Sequence, residues 1–156
     1  MSGMDKLYAM PGHLVRRAQQ ASTALFTEEC GAFDLTSVQY AALVAIQAHP
    51  DVDATRLSHL IAFDRSTLGS VLDRLQAKGW VLRTASPTDR RVKLLRITLE
   101  GERLLRQVQP AVARVQRRLL EPLDPADRAT LLRLLGQLAA LHNDITPVPL
   151  RAAGQD

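Results

Sequence analysis

The stretch Asp64-Arg65-Ser66-Thr67-Leu68-Gly69-Ser70-Val71-Leu72-Asp73-Arg74-Leu75-Gln76-Ala77-Lys78-Gly79-Trp80-Val81 decides the fold. Asp64 is a good N-cap, and Leu68, Val71, Leu72 and Leu75 recur at three- and four-residue spacing. That spacing predicts a helix over residues 65–78 with one buried face, and Gly79 is suited to follow its last turn. Arg65, Ser66, Ser70 and Asp73 lie on or near the opposite face, with Thr67 at its edge. Immediately upstream, residues 54–61 carry Leu57, Leu60 and Ile61, and Ala62-Phe63 make a brief turn. Two short helices, a tight turn and a second helix with a small polar outer face read as a helix-turn-helix.

Downstream the pattern changes. Trp80-Val81-Leu82-Arg83-Thr84 and Val92-Lys93-Leu94-Leu95-Arg96-Ile97 are strand-like, and Ser86-Pro87-Thr88-Asp89 between them is a turn cluster. The expectation is a hairpin with a basic tip, a wing beside the helix-turn-helix. Outside this module helical periodicity dominates. Residues 13–29 align Leu14, Ala18, Ala21, Leu25 and Phe26, with Gly31 as a stop. After Leu35 and a capping Thr36, Val38, Ala42, Leu43 and Ile46 form a stripe that His49-Pro50-Asp51 ends. Thr98 caps a long helix carrying Leu104, Leu105, Val108, Val112, Val115 and Leu119, which Pro110 should kink without ending. Asp124-Pro125 starts a last helix with Leu131, Leu134, Leu135, Leu138 and Leu141, and Pro147 and Pro149 close the ordered part ahead of a frayed tail.

The fold class expected is mainly α with a small β-hairpin wing: one domain over 1–156, with the winged helix-turn-helix at 34–98. Helices at 8–33 and 99–145 flank it. Each has one leucine-rich stripe and little else to cover it, so a second copy of the chain is the expected partner. At 156 residues a real core is available. Hydrophobic residues make up 46% and aromatics only 4%, so that core must be Leu, Val and Ala.

Net charge is +4, but its distribution matters more. Residues 65–96 hold eight basic side chains (Arg65, Arg74, Lys78, Arg83, Arg90, Arg91, Lys93, Arg96) against Asp73 and Asp89, so this segment is +6 and the remainder −2. A positive stripe on a near-neutral body is the footprint of a phosphate-binding surface. The candidate DNA contacts are therefore Arg65, Ser66, Thr67, Ser70 and Arg74 on the helix, and Arg90, Arg91, Lys93 and Arg96 on the wing. Small hydroxyl side chains allow close approach to base edges, and arginine can bond guanine bidentately. An arginine at the hairpin tip can enter a narrow minor groove, and Asp89 can hold a guanidinium in a fixed fork before DNA arrives. Lys93 and Arg96 are expected on phosphates, which position without specifying. Asp73 would repel phosphate, so a nearby arginine is its expected partner.

The stretch 64–81 resembles the recognition helix and first wing strand of the MarR family. Pro87-Thr88-Asp89-Arg90-Arg91-Val92-Lys93-Leu94-Leu95, continuing to Ile97-Thr98 and Gly101, is similar to that family's wing and its entry into the dimerisation helix. The resemblance implies a homodimeric regulator, usually a repressor on a palindromic operator in double-stranded DNA, often released by a small phenolic or aromatic acid. It also implies that one wing arginine is buttressed by Asp89 while another reaches the DNA, without saying which of Arg90 and Arg91 does which. Tyr8-Ala9-Met10-Pro11-Gly12-His13-Leu14, with Arg16 and Arg17, looks like the start of members sensing nicotinate-like or hydroxybenzoate-like carboxylates. Arginine clamps a carboxylate and histidine bonds a ring hydroxyl or nitrogen, so His13, Arg17, Tyr40 and His49 are the effector candidates.

No zinc-ligand spacing, phosphate-cradling glycine loop or nucleophile elbow is visible, so neither an enzyme nor a metal or organic cofactor is expected. One cysteine, Cys30, excludes an intramolecular disulfide and fits a reducing cytoplasm. No apolar run long enough for a membrane span and no secretory signal is present. Two alternatives stand beside the ligand-responsive regulator. One is an architectural or protein-interaction winged module without a small-molecule ligand. The other is a regulator sensing oxidation through Cys30, which has Glu28 and Glu29 rather than a cation beside it.

Overall fold

The computed structural model describes residues 1–145, the side chains of Asn143 and Asp144 excepted. The tail with Pro147 and Pro149 lies outside the described residues. The elements are α1 (Gly3–Tyr8), α2 (Pro11–Cys30), a 3-10 turn (Gly31–Phe33), α3 (Ser37–Ala48), β1 (Val52–Asp53), α4 (Ala54–Leu60), α5 (Arg65–Ala77), β2 (Val81–Ala85), β3 (Lys93–Ile97), α6 (Leu99–Leu120) and α7 (Pro125–Ile145). This is the mainly helical, winged helix-turn-helix architecture expected. Three elements go beyond the sequence expectation: α1, the 3-10 turn and β1. α1 is only six residues long and is set by a capping box, in which Asp5 N–H donates to Ser2 Oγ at 3.2 Å and Ser2 N–H to Asp5 Oδ2 at 2.8 Å. β1 is a two-residue strand, too short to show any periodicity.

The chain forms two compact units. The first comprises Met1–Ser37 and Val108–Pro122. Its buried side chains are Phe26, Cys30, Leu35, Val108, Ala111 and Val115. Glu29 of α2 is only 17% exposed and accepts from Arg114 at 2.7 Å and Arg118 at 3.1 Å on α6. The Arg114 guanidinium, with Arg118, holds its carboxyl below the usual range against the opposing effect of burial.

The second unit comprises Val38–Gln107 and the chain from Leu123 on. The sheet order is β1-β3-β2, all antiparallel, with Val52 opposite Leu95, Arg83 opposite Leu95 and Val81 opposite Ile97. Helix α4 packs on α5, β1 and β3, and α5 on β2. Leu57, Leu68, Leu72, Leu75, Val81 and Leu95 are buried, while Leu60, Ile61 and Val71 of the expected helix stripes are half-buried. Asp53 caps α4 by accepting from Arg56 N–H at 2.8 Å. Asp64 has the extended backbone of an N-cap, but its carboxylate accepts the Ser66 hydroxyl instead of a helix N–H. Gly79 sits at φ 76°, which glycine adopts without strain. α6 runs through Pro110 as one helix, and Asp124 caps α7 by accepting from Asp127 N–H at 2.8 Å. Among the described residues no helix is long and apolar enough to cross a membrane.

The junction between wing and α6 is tight. Thr98 Oγ1 donates to the Gly79 carbonyl at 2.6 Å and accepts from Gly101 N–H at 3.1 Å, while Thr98 N–H donates to the Trp80 carbonyl at 3.0 Å. A Cβ on Gly101 would lie 2.5 Å from that same Trp80 oxygen and 2.7 Å from Ile97 Cγ1. Backbone cannot yield as a flexible side chain does, so Gly101→Ala should cost about 1–3 kcal/mol. Chemical denaturation should show that loss, and an unchanged midpoint would contradict the packing described.

Candidate nucleic-acid interface

Helix α5 presents its polar residues in two rows. Ser66, Ser70 and Arg74 follow one another at four-residue spacing and are exposed. Arg65, Gly69 and Asp73 form the adjacent row, which faces the sheet: Asp73 accepts from Arg83 Nη2 of β2 at 2.5 Å. The partner expected for Asp73 is therefore Arg83. The hydroxyls are committed within the helix. Ser66 donates to the Asp64 carboxylate, Thr67 Oγ1 to the Asp64 carbonyl at 3.2 Å, and Ser70 Oγ to the Thr67 carbonyl at 2.9 Å. Their outward-facing oxygens are left as acceptors.

At the hairpin tip the aspartate holds one arginine. Asp89 accepts from the Arg91 backbone N–H at 3.0 Å, from Arg91 Nε at 3.1 Å and from Arg91 Nη2 at 3.2 Å. The Arg91 contacts lower the Asp89 carboxyl below its ordinary value. Even so, the Arg91 side chain is 91% exposed. Arg90 is exposed and makes no hydrogen bond or ion pair among the described residues. The pair is thus resolved into a buttressed Arg91 and an unheld Arg90.

Arg96 differs from expectation. Rather than standing free for phosphate, it donates through Nε and Nη2 to both oxygens of Asp51, at 2.7 and 2.6 Å. Asp51 sits in the left-handed region at φ 66°, and its N–H donates to the Leu95 carbonyl at 3.0 Å. The pair therefore clamps the turn after α3 onto β3, and Arg96 holds the Asp51 carboxyl low. A depressed carboxyl stabilises the fold above its unfolded pKa and loses that effect only as pH falls through the lowered value. The Asp51 and Asp89 pairs are accordingly intact across neutral and mildly acidic pH.

The recognition helix and wing enclose a cleft of about 250 Å³. Arg65 and Gly69 of α5, Arg83 of β2, and Arg91 and Lys93 of the wing line it, along with Asp53. Arg83 was counted in the basic stripe but not singled out from the sequence.

The effector candidates occupy separate elements. His13, in the first turn of α2, lies against Tyr8 with ring centroids 5.6 Å apart. Its Nε2 is buried without a hydrogen-bond partner. The arginine beside it is Arg16, whose Nη2 is 3.4 Å from His13 Nδ1, while Arg17 is exposed. Tyr40 on α3 and His49 just past its end are half-buried. Cys30 is fully buried; burial first, then Glu29, push its thiol pKa up, against a smaller opposing effect of Arg114. A thiol so placed is a poor nucleophile and a poor redox sensor.

Against this geometry the comparisons are specific. A model of the MarR family matches residues 35–93, which span the helix-turn-helix and the wing as far as Lys93. The HTH-type transcriptional repressor NicR of Pseudomonas putida is 30% identical over 127 residues, 81% of this chain and 80% of NicR. The chain belongs to the MarR family. Among solved structures, the transcriptional repressor CouR bound to a 23-mer DNA duplex superposes with a TM-score of 0.80 at 30% identity, covering 89% of this chain and 99% of CouR. BpsR of Bordetella bronchiseptica, whose DNA binding is regulated by 6-hydroxynicotinic acid, gives a TM-score of 0.79 at 27% identity, covering 84% of this chain and 94% of BpsR. This MarR-family protein is a winged helix-turn-helix, DNA-binding transcriptional regulator, and its relatives are regulators rather than enzymes.

Asp89 supplies a test of sign. If only net charge mattered, Asp89→Ala would tighten DNA binding by removing a negative charge from the wing. If the aspartate orients Arg91, the same change weakens binding. Fluorescence anisotropy on a duplex selected by the protein separates the two, and tighter binding would contradict the buttress.

Proposed function

We propose that this regulator is a homodimeric repressor that reads a two-fold-symmetric operator and is released by a small aromatic carboxylic acid. The observation carrying the DNA-reading half is the Asp89–Arg91 fork. A guanidinium fixed on one side by a carboxylate, yet 91% exposed, has lost its rotamer freedom in advance. In place of the division of roles the resemblance implies, Arg91 is both the buttressed side chain and the one preset for the minor groove, and the unheld Arg90 takes an adjacent phosphate, with Lys93. Ser66, Thr67, Ser70 and Arg74 approach base edges in the major groove, with Arg65 at the start of the same helix.

The homodimer is supported by apolar surface left bare in a single chain. On α7, Leu134, Leu135, Leu138 and Leu141 are 43–56% exposed and Ile145 is 73% exposed. At the other end of the chain Met4, Tyr8, Met10, Leu14 and Val15 are 49–53% exposed. Helices bearing such residues at three- and four-residue spacing need a partner surface, and a symmetric pair matches a palindrome.

The effector is supported by His13, whose buried Nε2 lacks a partner, with a cation at Arg16 and an aromatic ring at Tyr8 beside it. A ring hydroxyl or nitrogen would satisfy that atom, and an arginine the carboxylate. His13, Arg17, Tyr40 and His49 are the proposed contacts, with Arg16 added by the geometry. The regulation of BpsR by 6-hydroxynicotinic acid makes hydroxynicotinate-like acids the first compounds to try, with hydroxybenzoate-like acids after them.

Selection of duplexes from a random library at near-physiological salt should enrich a palindrome with half-sites about one helical turn apart. 6-Hydroxynicotinic or 4-hydroxybenzoic acid should then release the enriched duplex, and His13→Ala should abolish release while sparing DNA affinity. No enrichment, with weak binding that vanishes as salt rises, would overturn the operator-reading proposal. Release unaffected by His13→Ala would overturn the effector assignment alone.

A further inference from the structure

The register of β2 is unusual in what it puts inside. Side chains alternate across a strand, so Val81 and Arg83 share one face and Leu82 the other. Val81 is buried and Leu82 is 56% exposed, which places an arginine on the inner face and a leucine outside. Arg83 is only 22% exposed and stands opposite the buried Leu95. The pattern is the reverse of what hydropathy alone would select.

Within the cleft, the Arg83 guanidinium is half-committed. Nη2 donates to Asp73 at 2.5 Å, which fixes the plane of the group. Its Nε–H is buried and has no partner. A buried, unpaired donor of a cation is costly and calls for an acceptor oxygen. None is supplied among the described residues: Asp53, the acidic side chain in the lining, caps α4 through Arg56 N–H at 2.8 Å. Arg65 and Lys93 stand on the opposing walls, both exposed. Gly69 leaves the helix side of the cleft open, since a Cβ there would meet nothing within 4 Å.

We propose that this cleft is an oxyanion seat for one phosphate of the bound duplex, with Arg83 as its fixed donor and Asp73 as the residue that aims it. The chemistry is that of a phosphate oxygen accepting from the Arg83 guanidinium where it lines the cleft, with Arg65 and Lys93 supplying attraction. The strand is the source because the seat lies between the two elements that engage DNA, the recognition helix and the wing. Asp73 thereby acquires a role despite its unfavourable sign. This inference rests on the DNA-binding reading and adds a contact to it.

The test is the salt dependence of affinity for the enriched duplex, with Arg83→Gln, Arg83→Lys and Gly69→Glu alongside the unaltered protein. Each phosphate contact contributes about 0.9 to the slope of log K against log salt. Arg83→Gln should make the slope shallower by about that amount, and Arg83→Lys should restore most of it. Gly69→Glu, introduced where nothing is crowded, keeps the fold testable and should mimic the loss by placing a carboxylate in the seat. Single methylphosphonates scanned along the duplex should find one position that weakens the unaltered protein and leaves Arg83→Gln indifferent. Unchanged slopes in variants that still bind would overturn the seat and leave the DNA-binding reading standing. Failure of the unaltered protein to bind any duplex would overturn both. Inorganic phosphate that displaces the duplex at constant ionic strength, while Arg83→Gln leaves the slope unchanged, would overturn the strand as source in favour of a free anion.

Discussion

Crowding of like charge is the constraint on which this molecule depends. Eight cations and two carboxylates lie within residues 65–96, and the lobe carrying them is small. Left free, such side chains repel one another and lose freedom only when DNA arrives. The structure answers with pairing. Asp73 holds Arg83, Asp89 holds Arg91, and Asp51, drawn from the preceding turn, holds Arg96. The Asp89–Arg91 and Asp51–Arg96 pairs are exposed, and pairs of that kind add little to stability, whereas Arg83 is mostly buried. Their consequence is directional: each restrains a guanidinium, and Arg91 stays within reach of a ligand while it is held. The carboxylates lower the field of the patch slightly and fix its geometry.

The three pairs divide by what they anchor. Arg96–Asp51 ties the wing's inner strand to the turn after α3, so it acts on the position of the wing as a whole. Arg91–Asp89 lies at the tip and acts on one side chain. Arg83–Asp73 links β2 to α5 and couples the wing to the recognition helix. Thr98, bonded to the Gly79 carbonyl, and Gly101, pressed on Trp80, close the other end of the hairpin where it enters α6. The wing is thus held at its root by backbone packing and along its length by ion pairs. That arrangement lets a two-stranded ribbon with an exposed tip keep a defined direction.

Much of this was legible in the sequence because it rests on local rules. The α5 stripe, the glycine after it, the wing strands, the proline-led α7 and the Asp-Arg-Arg tip all announce themselves by spacing or by turn chemistry. What escaped depends on register or on pairing between distant residues. β1 is two residues long and exists only because β3 passes beside it. Arg96 looks like any exposed wing cation until Asp51, 45 residues earlier, is brought to it by the turn. Arg83 and Leu82 are adjacent, and hydropathy chooses the wrong one to bury; only the pairing of Arg83 with Leu95 places it inside. The helix α1 was detectable, since Ser2 and Asp5 carry the spacing of a capping box, but its six residues offer no stripe. Arg16 and Arg17, three and four residues past His13, are both its neighbours on a helix, so spacing does not choose between them; the side chain of Arg16 is the one beside the ring.

We propose that the wing guanidinium is aimed before DNA arrives, and side-chain nitrogen NMR tests this most directly. In the free protein, Nε–H order parameters should be high for Arg91 and Arg96 and low for Arg90. Adding the operator duplex should leave those of Arg91 and Arg96 nearly unchanged while raising that of Arg90. Equally low order parameters for all three in the free protein, rising together on binding, would contradict preorganisation and make the aspartates bystanders.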